Sequence, residues 1–163
     1  MKNHTTTVPK KNGSLQFLQD LQPVNKVTIR NSGVSPIVDE YVEAFAGRAI
    51  YSIGDLYSGY DQFQLVVESR GITTMRTSIG LVWMCTLPQG ATNSVAHMMN
   101  AMNKVLRDCI SEITMPFLDD IPMKGCAVEE KDETMEDRGC QKFVVNHIRD
   151  CEKVLQKLED VQV

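Results

Sequence analysis

Two adjacent acidic residues inside an apolar segment constrain the fold of this chain more than any other feature. Asp119 and Asp120 interrupt the otherwise apolar run from Phe117 to Ile121. In one continuous strand, neighbouring side chains point to opposite faces, so the two carboxylates would be separated. We therefore predict that residues 113–124 form two short strands that turn at the acidic pair.

Carboxylates that end apolar strands need a compensating charge, and a divalent cation can supply it. Asp55 follows a second apolar segment, residues 49–54, which predicts a short buried strand. Mg²⁺ prefers oxygen ligands, keeps several of its waters and binds substrate phosphates. Two interpretations stay open: Asp55, Asp119 and Asp120 share a cation, or the acidic pair is an ordinary turn with solvated carboxylates.

The hydrophobic pattern of the remaining chain mixes helices with strands. Because these elements do not alternate as βαβ units, the predicted fold class is α+β. Helices are predicted between Ser35 and Gly47, over 92–110 on a methionine-rich stripe, and over 141–161. The stripe of this last helix consists of Val144, Ile148, Cys151, either Val154 or Leu155, and Leu158. Strands are predicted over 15–20, 62–67 and 80–86, with a loose end over 1–9, a hairpin tip at 10–14 and an acidic solvated loop over 129–137.

Composition and charge indicate a soluble globular chain. Of its 163 residues, 42% are hydrophobic and 23% are charged, and no apolar run approaches the roughly 20 residues of a membrane span. The N-terminus lacks the pattern of a secretory signal, so we expect an intracellular protein, in cytoplasm or nucleus, with no membrane partner. Residues 1–30 carry five basic residues and one acidic residue, which suits either a polyanionic partner or a solvated tail.

Five cysteines without a CxxC pair indicate reduced thiols rather than a disulfide framework. Cys126, Cys140, His147 and Cys151 are the only candidates for a zinc site. Structural zinc sites usually take their ligands in close pairs. The favoured interpretation is therefore that His147 and Cys151, four residues apart, belong to the buried stripe of the last helix.

Five short segments, taken in order along the chain, form a more specific pattern. They are Lys10-Lys11-Asn12-Gly13, Asp20–Lys26, Asp55–Gln62, Leu87–Gly90 with Asn93-Ser94, and Phe117–Asp120. Spread over about residues 10–125, they resemble the fingers and palm of the Ty3/gypsy-type reverse transcriptases of long-terminal-repeat retrotransposons.

This resemblance implies a right-hand polymerase fragment of the α+β class, in which an antiparallel palm sheet is backed by helices. Residues 1–163 would be a partial reverse transcriptase domain, with the thumb, connection and RNase H absent. The fingers would comprise about residues 1–29 and 63–92, and the palm about 30–62 and 93–163. The chain would then be one piece of a pol polyprotein.

The activity implied is RNA-directed DNA polymerisation on an RNA or DNA template with a primer and deoxynucleoside triphosphates. The implied catalytic residues and metal ligands are Asp55 and Asp119, which would hold two Mg²⁺ ions, and Asp120, which would support the second carboxylate. The implied nucleotide-binding residues are Lys11 near the triphosphate, Tyr60 under the incoming sugar, and Gln89 and Gly90 in the nucleotide pocket.

The chain departs from the family pattern at three positions. Gln16 stands where the family has an arginine that grips the triphosphate, and Gln22 replaces a second arginine. Phe117 replaces the tyrosine that usually begins the Tyr-x-Asp-Asp motif. The change to Phe117 loses only a hydroxyl, whereas Gln16 and the expected absence of a thumb support an alternative. It is a catalytically inactive retroelement remnant that acts, if at all, as a nucleic-acid-binding or interaction module.

Overall fold

The computed structural model describes residues 5–9, 13, 15–31, 37–136 and 139–161. The chain divides into two compact units, which are described separately. The first consists of Met1–Ser32 and Ser58–Val95, and the second of Gly33–Tyr57 and Ala96–Val163. The assignment of fingers and palm to these parts of the chain stays a prediction.

The first unit begins with a β-hairpin. Strand β1 (Thr5–Pro9) pairs antiparallel with β2 (Leu15–Gln19), from Thr5 opposite Gln19 to Pro9 opposite Leu15. The predicted strand at 15–20 is confirmed, and most of the predicted tip at 10–14 lies outside the described residues. The loose end predicted for residues 1–9 is wrong for 5–9, because the backbone of β2 supplies hydrogen-bond partners that no local pattern reveals.

The rest of the first unit is made of short elements. Its predicted strand over 62–67 is wrong: Gln64 forms a single bridge to Thr86, and the chain then enters a helix. A short apolar run does not distinguish strand from helix by itself. The elements are α1 (Gln22–Asn25), a 3₁₀ helix (Gly59–Gln62), α3 (Val67–Arg70), a second 3₁₀ helix (Gly71–Thr73), β4 (Met75–Thr77) and β5 (Gly80–Val82), with β4 and β5 antiparallel.

A two-stranded antiparallel sheet between helices forms the second unit. The elements are α2 (Val38–Phe45), β3 (Tyr51–Asp55), α4 (Ser94–Val105, which starts in the first unit), β6 (Asp120–Lys124), a 3₁₀ helix (Val128–Glu130) and α5 (Lys142–Glu159). Strands β3 and β6 pair from Tyr51 opposite Lys124 to Asp55 opposite Asp120. The three predicted helices are thus confirmed, with small changes at their ends. The predicted strand before Asp55 is also formed, but its predicted burial is wrong, because Tyr51 is 52% and Ile53 68% exposed.

The core of the second unit is formed by residues of α4, α5 and β6. Met98, Met102 and Leu106 are fully buried, which confirms the predicted methionine stripe. On α5 the predicted burial of His147, Val154 and Leu158 is confirmed. The predicted burial of Ile148 is wrong, because Ile148 is 49% exposed, and of the alternatives Val154 and Leu155 it is Leu155 that is exposed, at 56%. None of the helices among the described residues is long and apolar enough to span a bilayer.

Candidate active site

The pairing of β3 with β6 places Asp55 beside the acidic pair of residues 119 and 120 in the backbone. Asp55 lies directly opposite Asp120, and the backbone N–H of Leu56 donates a hydrogen bond to the carbonyl oxygen of Asp119 at 3.2 Å. Directly opposed residues of an antiparallel pair project from the same face, with Cβ atoms about 4.5–5.5 Å apart. Asp55 is exposed, and Asp119 and Asp120 are half-buried.

Asp119 lies in the predicted turn, which is a two-residue hairpin loop. The N–H of Phe117 donates to the carbonyl of Asp120 at 2.9 Å, and the N–H of Asp120 donates to the carbonyl of Phe117 at 3.0 Å. Leu118, the first residue of the loop, has φ of 59° whereas Asp119 does not have positive φ, which is the pattern of a type II′ turn. A non-glycine residue held in such a sparsely populated backbone conformation costs on the order of 1–3 kcal/mol.

Contacts from two helices hold this strained turn in place. The N–H of Leu118 donates to Sδ of Met99 on α4 at 3.1 Å. The ring of Tyr41 on α2 packs against that of Phe117 at 5.7 Å and stacks on that of Phe45 at 4.7 Å. Burial, and secondarily the charge of Asp120, raises the pKa of Tyr41. The aromatic group of α2 therefore lies beside the acidic strand end.

No basic side chain within the described part of the chain is paired with the acidic group. Among the described residues, the salt bridges do not involve Asp55, Asp119 or Asp120. Like charges directly opposite each other in a sheet are destabilising. A bound divalent cation would remove this repulsion.

The three carboxylates are ligands of the kind that Mg²⁺ prefers, but their side chains do not converge on a single point. Within the described part of the chain, no three His, Cys, Asp or Glu side chains are grouped so that they could hold one ion. Mg²⁺ is commonly bound through one or two carboxylates, with waters and substrate phosphates as the remaining ligands. Asp55 and Asp120, which lie opposite each other, could supply the two carboxylates of such a site.

The residues predicted to bind nucleotide belong to the first unit. Tyr60 lies half-buried in the 3₁₀ helix Gly59–Gln62, and Gln89 and Gly90 are exposed in the loop before α4. Gly90 has φ of 90°, a conformation that favours glycine. Lys11 lies outside the described residues. The roles of these four residues stay predictions.

The side chains of Asn25 and Asn93 hydrogen-bond to the backbone in and beside the loop around Gly90. The sequence indicated these two asparagines only as parts of motifs, without a role of their own. The side chain of Asn25 donates to the carbonyl of Gly90 and accepts from the N–H of Thr92, both at 2.9 Å. The side chain of Asn93 donates to the carbonyl of Ile29 at 3.0 Å and accepts from the N–H of Asn31 at 2.9 Å. Both asparagines therefore serve as side-chain partners of the backbone.

Two of the four candidate zinc ligands, His147 and Cys151, lie beside each other on α5. Nε2 of His147 lies 2.9 Å from Oγ of Ser52 and 3.6 Å from Sγ of Cys151. Nδ1 of His147 is buried without a hydrogen-bond partner among the described residues. His147 and Cys151 thus belong to the inward face of α5, as the favoured interpretation predicts.

Comparison with known proteins gives a family match over most of the chain. Residues 8–163 match the family described as reverse transcriptase (RNA-dependent DNA polymerase). An RNA-directed DNA polymerase homolog of Oenothera berteroana is 32% identical over 108 residues, which cover 66% of this chain and 76% of that protein. The Tf2-3 transposon polyprotein of Schizosaccharomyces pombe is 24% identical over 156 residues, 96% of this chain and 10% of the polyprotein.

Solved structures with the same fold are much longer than this chain. A foamy viral protease-reverse transcriptase in complex with double-stranded DNA has a TM-score of 0.77 and 21% identity, covering 98% of this chain and 25% of that one. The native protease-reverse transcriptase of prototype foamy virus has a TM-score of 0.75 and 23% identity, covering 98% and 19%. The likeness supports the predicted α+β fold of a polymerase fingers and palm fragment.

Proposed function

Because this chain belongs to the reverse transcriptase family, we propose that it carries the polymerase site of an RNA-directed DNA polymerase of the Ty3/gypsy retrotransposon type. The observation that carries the proposal is the position of Asp55 opposite Asp120, with Asp119 in the adjoining turn. An acidic group at the end of a strand pair, with no salt bridge to any described residue, is suited to divalent cations.

The chain's own residues would contribute position and negative charge to the reaction. Asp55 and Asp119 would hold two Mg²⁺ ions, and Asp120 would support the second carboxylate. Bound Mg²⁺ would activate the primer 3′-hydroxyl and stabilise the leaving pyrophosphate. The short hairpin loop and its contacts with α2 and α4 would keep the carboxylates at fixed positions, which is most of what phosphoryl transfer requires of a protein.

The partners proposed are a primed RNA or DNA template and deoxynucleoside triphosphates. The foamy viral enzyme has been solved with double-stranded DNA and with an RNA/DNA hybrid, which supports nucleic acid as a partner of this fold. We extend the proposal to Lys11, Tyr60, Gln89 and Gly90 as nucleotide contacts. The likeness to Tf2 polyproteins supports a working context within a longer polyprotein.

A second candidate function, that of a catalytically inactive remnant, is favoured by one observation. Gln16, within β2, stands where the family pattern has a triphosphate-binding arginine. A charge-assisted contact of this kind contributes about 1.5–3 kcal/mol, so its loss weakens nucleotide binding more than tenfold. The alternative is a remnant that binds nucleic acid without catalysis.

Primer extension on an RNA template with Mg²⁺ tests the proposal. We would compare the chain alone with a fusion that supplies a reverse transcriptase thumb, each with Asp119→Asn and with the control Asp39→Asn on the exposed side of α2. We expect extension by the fusion, its loss with Asp119→Asn, and no change with Asp39→Asn. Extension that survives Asp119→Asn contradicts the catalytic assignment, and template binding without extension supports the remnant.

A further inference from the structure

A buried thioether contacts the backbone of the turn that carries the acidic pair. The N–H of Leu118 donates to Sδ of Met99 on α4 at 3.1 Å. Met99 has only 3% of its surface exposed, and both residues belong to the second unit. A thioether sulfur is a weak acceptor, and most backbone N–H groups bond to oxygen instead. The contact therefore differs in its chemistry from the other hydrogen bonds of the turn.

The hairpin itself offers this N–H no partner. Phe117 and Asp120 exchange both of their backbone hydrogen bonds, which closes the two-residue loop. The N–H of Leu118, the first residue of the loop, takes no part in that exchange and needs an acceptor from another element. Within the described residues, the acceptor that it finds is Sδ of Met99.

The residue that makes this bond is also the strained residue of the turn. Leu118 has φ of 59°, and the strain of a non-glycine residue there is of the same order as the contribution of one hydrogen bond. The bond to Met99 therefore offsets the strain. Without it, relaxation toward negative φ is favoured, and such a change rotates the peptide unit that joins Leu118 to Asp119. The position of the acidic pair thus depends on the sulfur.

The neighbouring buried methionines of α4 lack this contact. Met98 and Met102 are fully buried, and neither sulfur accepts a hydrogen bond from a described residue. Packing in an apolar core accounts for both of them. Met99 is therefore distinguished from its neighbours by its hydrogen bond and not by its burial.

We propose that Met99 is a positioning residue for the candidate active site, because its sulfur holds the turn in the conformation that keeps the acidic pair beside Asp55. The inference rests on the proposed polymerase function and adds to it a residue outside the acidic group. Reacting groups tolerate little displacement, since an error of about 1 Å lowers a rate by about a hundredfold. Loss of one weak hydrogen bond displaces only part of the population, so we expect effects of about threefold to tenfold.

Two substitutions at position 99 separate hydrogen bonding from packing. Leucine keeps the apolar character and approximate volume of methionine but accepts no hydrogen bond, so Met99→Leu should change stability little. Glutamine is unbranched and its amide oxygen accepts hydrogen bonds, but its buried NH₂ group lowers stability. We expect Met99→Leu to be the more stable variant and Met99→Gln to bind Mg²⁺ more tightly. A side chain needed only for packing would give the same order in both measurements.

Three measurements test the proposal, with Met102→Leu as the matched control on the same helix. Hydrogen exchange of the Leu118 amide, measured in EDTA, should be about threefold to tenfold faster in Met99→Leu and unchanged in Met102→Leu. Calorimetric titration should show an Mg²⁺ affinity reduced by a similar factor in Met99→Leu alone. In the thumb-completed fusion, Met99→Leu should lower kcat for primer extension without changing the nucleotide KM, and Met99→Gln should retain kcat.

Unchanged exchange of the Leu118 amide in Met99→Leu overturns the proposal, because the sulfur then does not hold that N–H. Faster exchange with unchanged Mg²⁺ affinity and kcat also overturns it, as do equal losses in Met99→Leu and Met102→Leu. The comparison of these two leucine variants stands even if glutamine prevents folding. If the unsubstituted chain binds no Mg²⁺ and its fusion extends no primer, the proposed function fails and the role of Met99 fails with it. The unsubstituted protein thus distinguishes the two failures.

Discussion

Asp55 and Asp120 face each other across the antiparallel pair of β3 and β6, and no basic residue of the described chain is bound to either. Their mutual repulsion opposes folding, whereas a divalent cation between them would favour it. Removing one of these two charges should therefore increase the stability of the metal-free protein and decrease its affinity for a divalent cation.

Asp120→Asn should stabilise the metal-free protein and weaken Mg²⁺ binding. Removing one of two opposed like charges should raise the free energy of unfolding by about 0.2–1 kcal/mol. Loss of a ligand charge should lower Mg²⁺ affinity by about tenfold or more. Urea unfolding in EDTA and calorimetric titration with Mg²⁺ measure the two effects, with Asp39→Asn as the control. If the free energy of unfolding and the Mg²⁺ affinity both decreased, Asp120 would have a structural role in the folded chain.

Gln16→Arg should lower the nucleotide KM of a thumb-completed fusion by about tenfold or more. The reason is that it restores the charge-assisted contact that the family pattern places there. Steady-state primer extension over a range of nucleotide concentrations measures this change. Gln64→Arg, at an exposed position of the same unit, adds the same charge and should leave KM unchanged. An unchanged KM in Gln16→Arg would remove that role from position 16.

Leu118→Val should destabilise the fold by about 1 kcal/mol or more relative to Leu118→Met. Position 118 has φ of 59°, which β-branched side chains adopt least readily. Methionine keeps a flexible side chain of similar volume at the half-buried position. Urea unfolding of both variants gives the comparison. Equal stabilities would show that the turn relaxes to another conformation.

The free energy of unfolding should fall as the pH falls from 7 to 5, in part because of His147. Burial lowers the pKa of His147 below its ordinary value of 6.5, and Asp150 opposes this effect more weakly. Between the two pKa values the unfolded chain binds a proton that the native state does not, so stability rises with pH in that range. Urea unfolding at several pH values should show a smaller slope in His147→Gln. His97→Gln, on the exposed face of α4, should retain the slope.

The sequence by itself determined the features that depend on neighbouring residues. The stripe through Met98, Met102 and Leu106 predicted a buried helix, because helical spacing alone places these side chains on one face. The acidic pair at Asp119 predicted a turn, because two adjacent charges cannot both leave an apolar strand on the same side. The ordered motifs then indicated the family over about residues 10–125.

Only the tertiary structure decided which segments meet. Asp55 and Asp120 are 65 positions apart, and their opposition follows from the register of two strands that no local pattern specifies. The burial of Lys124 depends on α2 and that of His147 on Ser52, both distant in sequence. The residue pattern of a segment indicates the periodicity of that one helix or strand. The strand that it pairs with, and the register of the pairing, depend on how several elements pack together. For this reason the turn was predictable from the sequence, whereas the burial of Lys124 was not.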